Sequence, residues 1–248
     1  MKRNILFAIS FIIWTTFCQA FELETNQWSD FEGTMGKAKI QLSLYRFENG
    51  QIKGNYYYKK YENKIQLIGQ ITGDLIELTE YLNGKPNGHF SGKVFTKDAD
   101  RFEGIWTDGS NTKSSEFKLT LQSICGNTYD HRYSDLYGTN DEVENFIKHT
   151  KTSILTNDKE WIANHIKYPL KTTLNKTKLI TIKNKKELLD NFDFIFHQNF
   201  KDEIKLFSSY NLFCNHQGVM FGDGQIWITN KPNSTSKKYD FIIKAINN

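Results

Sequence analysis

A pattern of apolar residue, spacer, glycine, spacer, apolar residue recurs at Phe31-Gly33-Met35, Ile52-Gly54-Tyr56, Leu67-Gly69-Ile71, Phe90-Gly92-Val94 and Phe102-Gly104-Trp106, and it restricts the fold more than any other feature. Side chains alternate between the two faces of a strand, so each of these glycines shares a face with two apolar neighbours. A glycine in mid-strand weakens the strand unless the sheet must bend or another backbone must come close. Repeated inward glycines therefore predict a sheet that curls onto itself. Ala38, Ile40, Leu42 and Leu44 alternate with Lys37, Lys39, Gln41 and Ser43, and Phe117, Leu119 and Leu121 with Glu116, Lys118 and Thr120, as half-buried strands do. Turn signals at Asn49-Gly50, Thr72-Gly73-Asp74, Asn83-Gly84, Asn87-Gly88 and Asp108-Gly109 are short enough to make neighbouring strands antiparallel. The glycine intervals are unequal, which excludes a propeller or solenoid. Residues 28–121 are thus expected to form an up-and-down β-barrel or a strongly coiled antiparallel meander of about seven or eight strands.

From Thr139 the period lengthens. Val143, Phe146, Ile147, Ile154 and Leu155 follow helical spacing, with Glu142 and Glu144 in the first turn. Asn157 with Glu160 reads as a capping box for a second helix that Tyr168-Pro169 ends. Asn184 with Glu187 opens a third, carrying Leu188, Leu189, Phe192, Ile195, Phe196 and Phe200. Strands are expected over 171–182, over 212–221 and 225–230 joined through Gly222-Asp223-Gly224, and from Tyr239 to Ile246. Residues 122–138 show neither period and read as a linker. The chain is therefore expected to be α+β in two domains, 28–121 and 139–248, with helices packed on a curved sheet in the second. The first resembles the lipocalin-like and other β-meander modules of exported bacterial proteins. The order of elements in the second resembles the NTF2-like, cystatin-like cone, a superfamily that implies either catalysis (dehydratase, isomerase or hydrolase) or ligand and protein binding.

Lys2 and Arg3 precede an apolar run over residues 5–17, and Cys18-Gln19-Ala20 follows it in the manner of a signal-peptidase site. That run is about 13 residues, too short for the ~20 of a membrane-spanning helix. Cleavage after Ala20 and a periplasmic or secreted product are expected, without stable membrane insertion. A lipid-anchored start at Cys18 is disfavoured by Phe17, where such signals resembling the known type carry a small residue. The net charge of +4 is too mild to indicate a nucleic-acid partner. Cys125 and Cys214 remain after Cys18 is removed, and an oxidising compartment leaves two readings, a disulfide or two buried thiols.

The candidate ligand-binding residues are aromatic. Tyr56, Tyr57, Tyr58, Tyr61 and Trp106 either line a barrel mouth that stacks sugar rings or apolar ligands, or divide between core and surface; Trp161 and Phe196 hold the corresponding place in the second domain. Asp193 and His197 stand four apart on the third helix, the spacing at which a carboxylate orients an imidazole for general-base work, or simply a helix-surface ion pair. Asn215, His216 and Gln217 alternate between strand faces, which spoils a three-residue site. Paired Cys, HExxH, GxSxG and phosphate-loop motifs are missing, so no cofactor or metal is expected. The expected function is an exported non-enzymatic binding protein for a small ligand, a glycan or a protein. The alternatives are a cone enzyme using His197 and Asp193, and an inhibitor or immunity protein against an extracellular hydrolase.

Overall fold

The computed structural model describes residues 23–61, 63–95, 100–126, 128–133, 135–233 and 239–248; the expected signal segment and Cys18 lie outside them. Eight strands follow one another: β1 (Trp28–Met35), β2 (Ala38–Arg46), β3 (Gln51–Tyr58), β4 (Ile65–Thr72), β5 (Leu75–Leu82), β6 (Lys85–Phe95), β7 (Arg101–Asp108) and β8 (Ser114–Cys125). Each pairs antiparallel with the next, and β8 returns to β1 to close a barrel. The inward glycines explain how so small a barrel closes. Gly92 and Gly104 face each other across β6 and β7. A Cβ on Gly104 would lie 2.1 Å from the Ser91 carbonyl oxygen and 2.9 Å from Phe117 Cζ, so the Phe117 ring occupies the floor that the two missing side chains leave. Phe31, Phe90, Phe102, Leu42, Leu67 and Leu78 fill the rest of the interior.

One expected turn is not a turn. Asn87-Gly88 lies inside β6, where the register with β5 shifts: Glu80 faces Gly88 while Tyr81 faces Pro86. Asn87 is the extra residue of a β-bulge, a feature that uses the same residue types as a tight turn.

The C-terminal part is smaller and mixed. It comprises α1 (Asn140–Thr156), α2 (Lys159–Asn164), β9 (Leu170–Leu174), β10 (Lys178–Ile182), α3 (Lys185–Ile195), α4 (Gln198–Lys205), β11 (Phe213–Asn215), β12 (Gly218–Phe221), β13 (Ile226–Pro232) and β14 (Tyr239–Ile246). The last four form an antiparallel sheet in sequence order, and β9 and β10 a separate hairpin. Thr139 and Glu142 make a reciprocal capping box at α1, and Asn184 caps α3 by accepting from Glu187 N at 3.0 Å. Three expectations are corrected here. Asn157 does not open α2; it ends α1 in a left-handed conformation (φ 61°), and Asp158 caps α2 instead. The strand expected over 171–182 breaks at Asn175 and Lys176, both at positive φ, into the β9–β10 hairpin. The third helix stops at Ile195, and His197 starts a new one.

The two parts are joined along the outer face of β1, β2 and β3. Antiparallel register sets three lateral rows there: Trp28, Tyr45 and Lys53; Asp30, Ser43 and Asn55; Glu32, Gln41 and Tyr57. The first row enters the C-terminal core, with Trp28 stacked on Tyr129 at 5.4 Å and Lys53 Nζ 5.5 Å from the same ring. The second row is polar and buried. Asp30 and Arg132, exposed by 1% and 2%, form an ion pair at 2.5 Å. Asp30 also accepts from Ser43 Oγ at 2.6 Å and Ser123 Oγ at 2.8 Å, while Arg132 Nη2 donates to the Leu212 carbonyl at 3.2 Å. Asn55 and Asn211 exchange amide hydrogen bonds beside them. Residues 122–138, read from sequence as a linker, thus carry Arg132 and the buried Tyr133 into the junction. Removing one member strands the other charge in a dry environment, so Arg132→Met should cost about 3–5 kcal/mol. Urea unfolding checks this; a loss below 1 kcal/mol would show that the junction does not depend on the pair.

Candidate functional site

Tyr56, Tyr58 and Trp106 come together at one end of the barrel around a group that the sequence reading missed. Glu80 on β5 is buried and points inward. Its carboxylate accepts from Tyr56 Oη at 2.6 Å and Trp106 Nε1 at 2.9 Å, and from the Asn87 amide. The bulge at Asn87 is what turns that amide toward Glu80. Period-2 geometry gave Tyr56, Tyr58 and Trp106 a common face; the carboxylate was hidden because a lone glutamate in an alternating strand reads as an outward residue. Tyr56 and Tyr58 pack edge to face at 5.7 Å, and Tyr56 lies as close to Phe90. Burial, reinforced by Glu80, holds the Tyr56 phenol far above the usual tyrosine range. Tyr57 and Tyr61 do not join this cluster: Tyr57 faces the opposite way, out of the barrel, and Tyr61 is exposed.

The larger opening lies between the barrel wall and the C-terminal part. This cleft has a volume of about 620 Å³. Its barrel wall is the third lateral row, Glu32, Gln41 and Tyr57, extended by Gln122 and Ser123 of β8. The opposing ledge is residues 206–213 with Met220, and it is largely apolar: Leu206, Phe207, Leu212 and Phe213 line it beside Tyr210. Leu206 is 80% exposed. Tyr57 and Tyr210 meet edge to face at 6.0 Å and bridge the floor. Lys59 Nζ lies 2.6 Å from Glu32, so the carboxylate on this wall is already countered. Gln41, only 9% exposed, lines the cleft from this wall with its carboxamide. A polar wall facing an apolar ledge suits a ligand with one hydrogen-bonding edge and one apolar face.

The other sequence candidates fall elsewhere. Phe196 is buried in the C-terminal core against Phe192 and Phe200. Trp161 is half-buried and sandwiched between His149 at 4.4 Å and His165 at 4.0 Å; His165 and Phe146 line a smaller surface pocket of about 300 Å³. His197 and Asp193 do not form a pair. The helix that would have aligned them ends at Ile195, His197 Nδ1 accepts from Phe200 N at 3.2 Å as the cap of α4, and Asp193 pairs with Lys159 at 2.7 Å. Cys125 and Cys214, from β8 and β11, are buried side by side as thiols. Among the described residues, no group of three His, Cys, Asp or Glu side chains is arranged to hold a metal ion.

Glu80→Ala should leave the Tyr56 hydroxyl and the Trp106 indole N–H without an acceptor, at about 1–3 kcal/mol for each orphaned donor; Glu80→Gln, which keeps an acceptor oxygen, should lose less. Thermal and urea unfolding of the two variants check the order. The tyrosines also fix an alkaline limit. Burial raises Tyr45, Tyr56, Tyr58, Tyr129 and Tyr133, and pushes Tyr168 up to about 12. Above the unfolded value of about 10, the unfolded chain ionises while the folded chain keeps its protons, so stability is full below that pH and falls as pH rises. Phenolate absorbance followed with circular dichroism should show these six tyrosines ionising only as the fold is lost; a folded chain in which all twelve tyrosines titrate would contradict it.

No protein-family model matches the chain, and no curated protein matches it. Among solved structures, apo shwanavidin in its P21 form is similar at TM-score 0.33 and 12% identity, over 42% of this chain and 99% of that one. Rhizavidin is similar at TM-score 0.30 and 10% identity, over 40% of this chain and 81% of that one. The rhizavidin–biotin complex is similar at TM-score 0.31 and 10% identity, over 40% and 92%. The likeness is one of fold.

Proposed function

We propose that this chain is a binding protein that holds a small amphipathic ligand in the cleft between the barrel wall and residues 206–213, with a sugar ring as the chemical type that suits it best. The observation that carries the reading is Gln41, a residue only 9% exposed whose carboxamide lines the cleft and can offer it both a donor and an acceptor. A ligand group that bonds this carboxamide replaces a water contact by a direct hydrogen bond in a largely enclosed setting. Gln41 stands between Glu32 and Tyr57 in one row, so three hydrogen-bonding groups face the cleft at strand spacing. Opposite them, Leu206, Phe207 and Phe213 offer a surface for the C–H face of a ring. The internal Lys59–Glu32 pair cancels the charge of the barrel wall, and Asp223, the other acid lining the cleft, disfavours an anion, so a neutral ligand fits.

The same reading takes the first 20 residues as a signal and the chain as exported. It takes the C-terminal part as an NTF2-like cone in a supporting role: a parallel bridge between Ile166 and Ile243 ties the segment before β9 to β14, and α3 packs on β9. The ligand search therefore uses protein from the exported fraction. Native mass spectrometry and calorimetry against neutral mono- and disaccharides should reveal a bound species. Gln122→Trp, which puts an indole into the cleft from an exposed position on β8, should reduce its affinity at least tenfold while leaving Tm nearly unchanged. A ligand whose binding is indifferent to Gln122→Trp and to Gln41→Ala would place the site elsewhere.

A further inference from the structure

We propose that Cys125 and Cys214 form a redox pair that closes to a disulfide and fastens together the two walls of the cleft. Only these two cysteines fall within the described residues, and they are 89 positions apart in sequence. The fold nevertheless brings them together. Cys125 is the last residue of β8, just beyond Gln122 and Ser123 of the barrel wall, and Cys214 is the middle residue of β11, next to Phe213 of the ledge. They are exposed by 1% and 5%. Cys125 Sγ comes within 4.0 Å of the Cys214 backbone, at its carbonyl, and lies as close to the carbonyl of Leu212; Cys214 Sγ lies 3.2 Å from the carbonyl of Arg132.

Two buried cysteines can serve as small apolar residues and nothing more. The surroundings here are of another kind. Arg132 Nη2 is 3.9 Å from Cys125 Sγ, so the nucleophilic thiolate form has a cation beside it. The Cys125 thiol is lowered to about 7, first by its hydrogen bond with Cys214; burial opposes this, Arg132 adds to it and Asp30 subtracts. Cys125 is accordingly the attacking sulfur. Its thiolate displaces one thiolate from a disulfide donor, either a small molecule such as oxidised glutathione or a protein disulfide, and forms a mixed disulfide. Cys214 then loses its proton and its sulfur attacks the Cys125 sulfur, releasing the donor's second thiolate. Two cysteine thiols are oxidised to one disulfide, and one donor disulfide is reduced to two thiols. Burial keeps a bulky donor from the packed pair, so the mixed disulfide forms on Cys125 while residues 206–215 are off the barrel, with Arg132 as the activating cation beside it; docking then brings Cys214 to the mixed disulfide, and the finished bond is shielded from reductant.

The consequence is independent of what the cleft holds. A bond between β8 and β11 fixes the ledge against the barrel wall and closes a long loop, which restricts the unfolded chain more than the folded one. The test uses residues 21–248, unfolded, then refolded in a mixture of oxidised and reduced glutathione, quenched with acid, alkylated and digested. The expected result is a cross-linked peptide pair containing Cys125 and Cys214, no alkylation of either without reductant, and a Tm higher than that of the reduced chain by roughly 10 °C. Comparing the oxidised and reduced forms of the unaltered chain avoids any variant that fails to fold; Cys125→Ser and Cys214→Ser, where they fold, should each abolish the Tm difference. Alkylation of both cysteines after refolding, a lasting glutathione adduct without the cross-link, or an oxidised form no more stable than the reduced one would each overturn the proposal.

Discussion

The Arg132–Asp30 ion pair decides how the two halves of this chain sit on each other. Withdrawing two full charges from water is expensive, and their attraction offsets the cost only when the remaining hydrogen-bonding capacity is also met. Here it is. Asp30 receives Ser43 and Ser123 in addition to the guanidinium, and Arg132 reaches Ser43 and the Leu212 carbonyl. Trp28 covers the guanidinium at 5.2 Å to its ring centre. An apolar patch of the same area could hold two parts together in many orientations; a pair that needs four partners in place accepts few. Because Leu212 is one of those partners, the contact that docks the halves also sets the height of the ledge over the barrel wall.

The three lateral rows show how a single strand register serves several ends. Moving outward from the junction, the row containing Trp28 and Tyr45 is apolar and joins the C-terminal core, the row containing Asp30 and Ser43 is polar and fully paired, and the row containing Glu32 and Gln41 opens to the cleft. Each row is one side-chain period from the next. A slip of one residue in β2 would put Leu42 and Leu44 outside and Gln41 and Ser43 into a core filled by Phe31 and Phe102, so barrel closure enforces the docking surface and the site together.

The barrel was legible in the sequence because its cause is local: glycines with apolar neighbours on alternate positions describe a curling sheet without any knowledge of what pairs with what. The rows were not, since Asp30, Ser43 and Asn55 become neighbours only once β1, β2 and β3 are in register. Arg132 was hidden for a related reason. It lies in a stretch with neither helical nor strand period, and burial of an arginine there depends on a partner about a hundred residues away. At Asn87-Gly88 and Asn157, signals of the right chemical kind were present, but asparagine serves a bulge, a left-handed helix end and a turn alike. The His197 and Asp193 reading failed because apolar spacing continued through Phe196 and Phe200 across a helix break, each side of the break feeding the same core.

The mouth and the cleft look alike in composition, with tyrosine, an acid and carboxamides in both, and the difference between them lies in how those groups are used. At the mouth every donor near Glu80 already points at it: Tyr56, Trp106 and Asn87 converge on the two carboxylate oxygens. A ligand entering there would have to break good hydrogen bonds to make others, with little net gain. In the cleft Glu32 is neutralised at its edge by Lys59, while the Gln41 carboxamide and Asp223 face the opening and an exposed leucine stands among the lining residues. The mouth's polar cluster is therefore a stabilising plug for the barrel's end, which is why the proposed ligand site lies in the cleft instead.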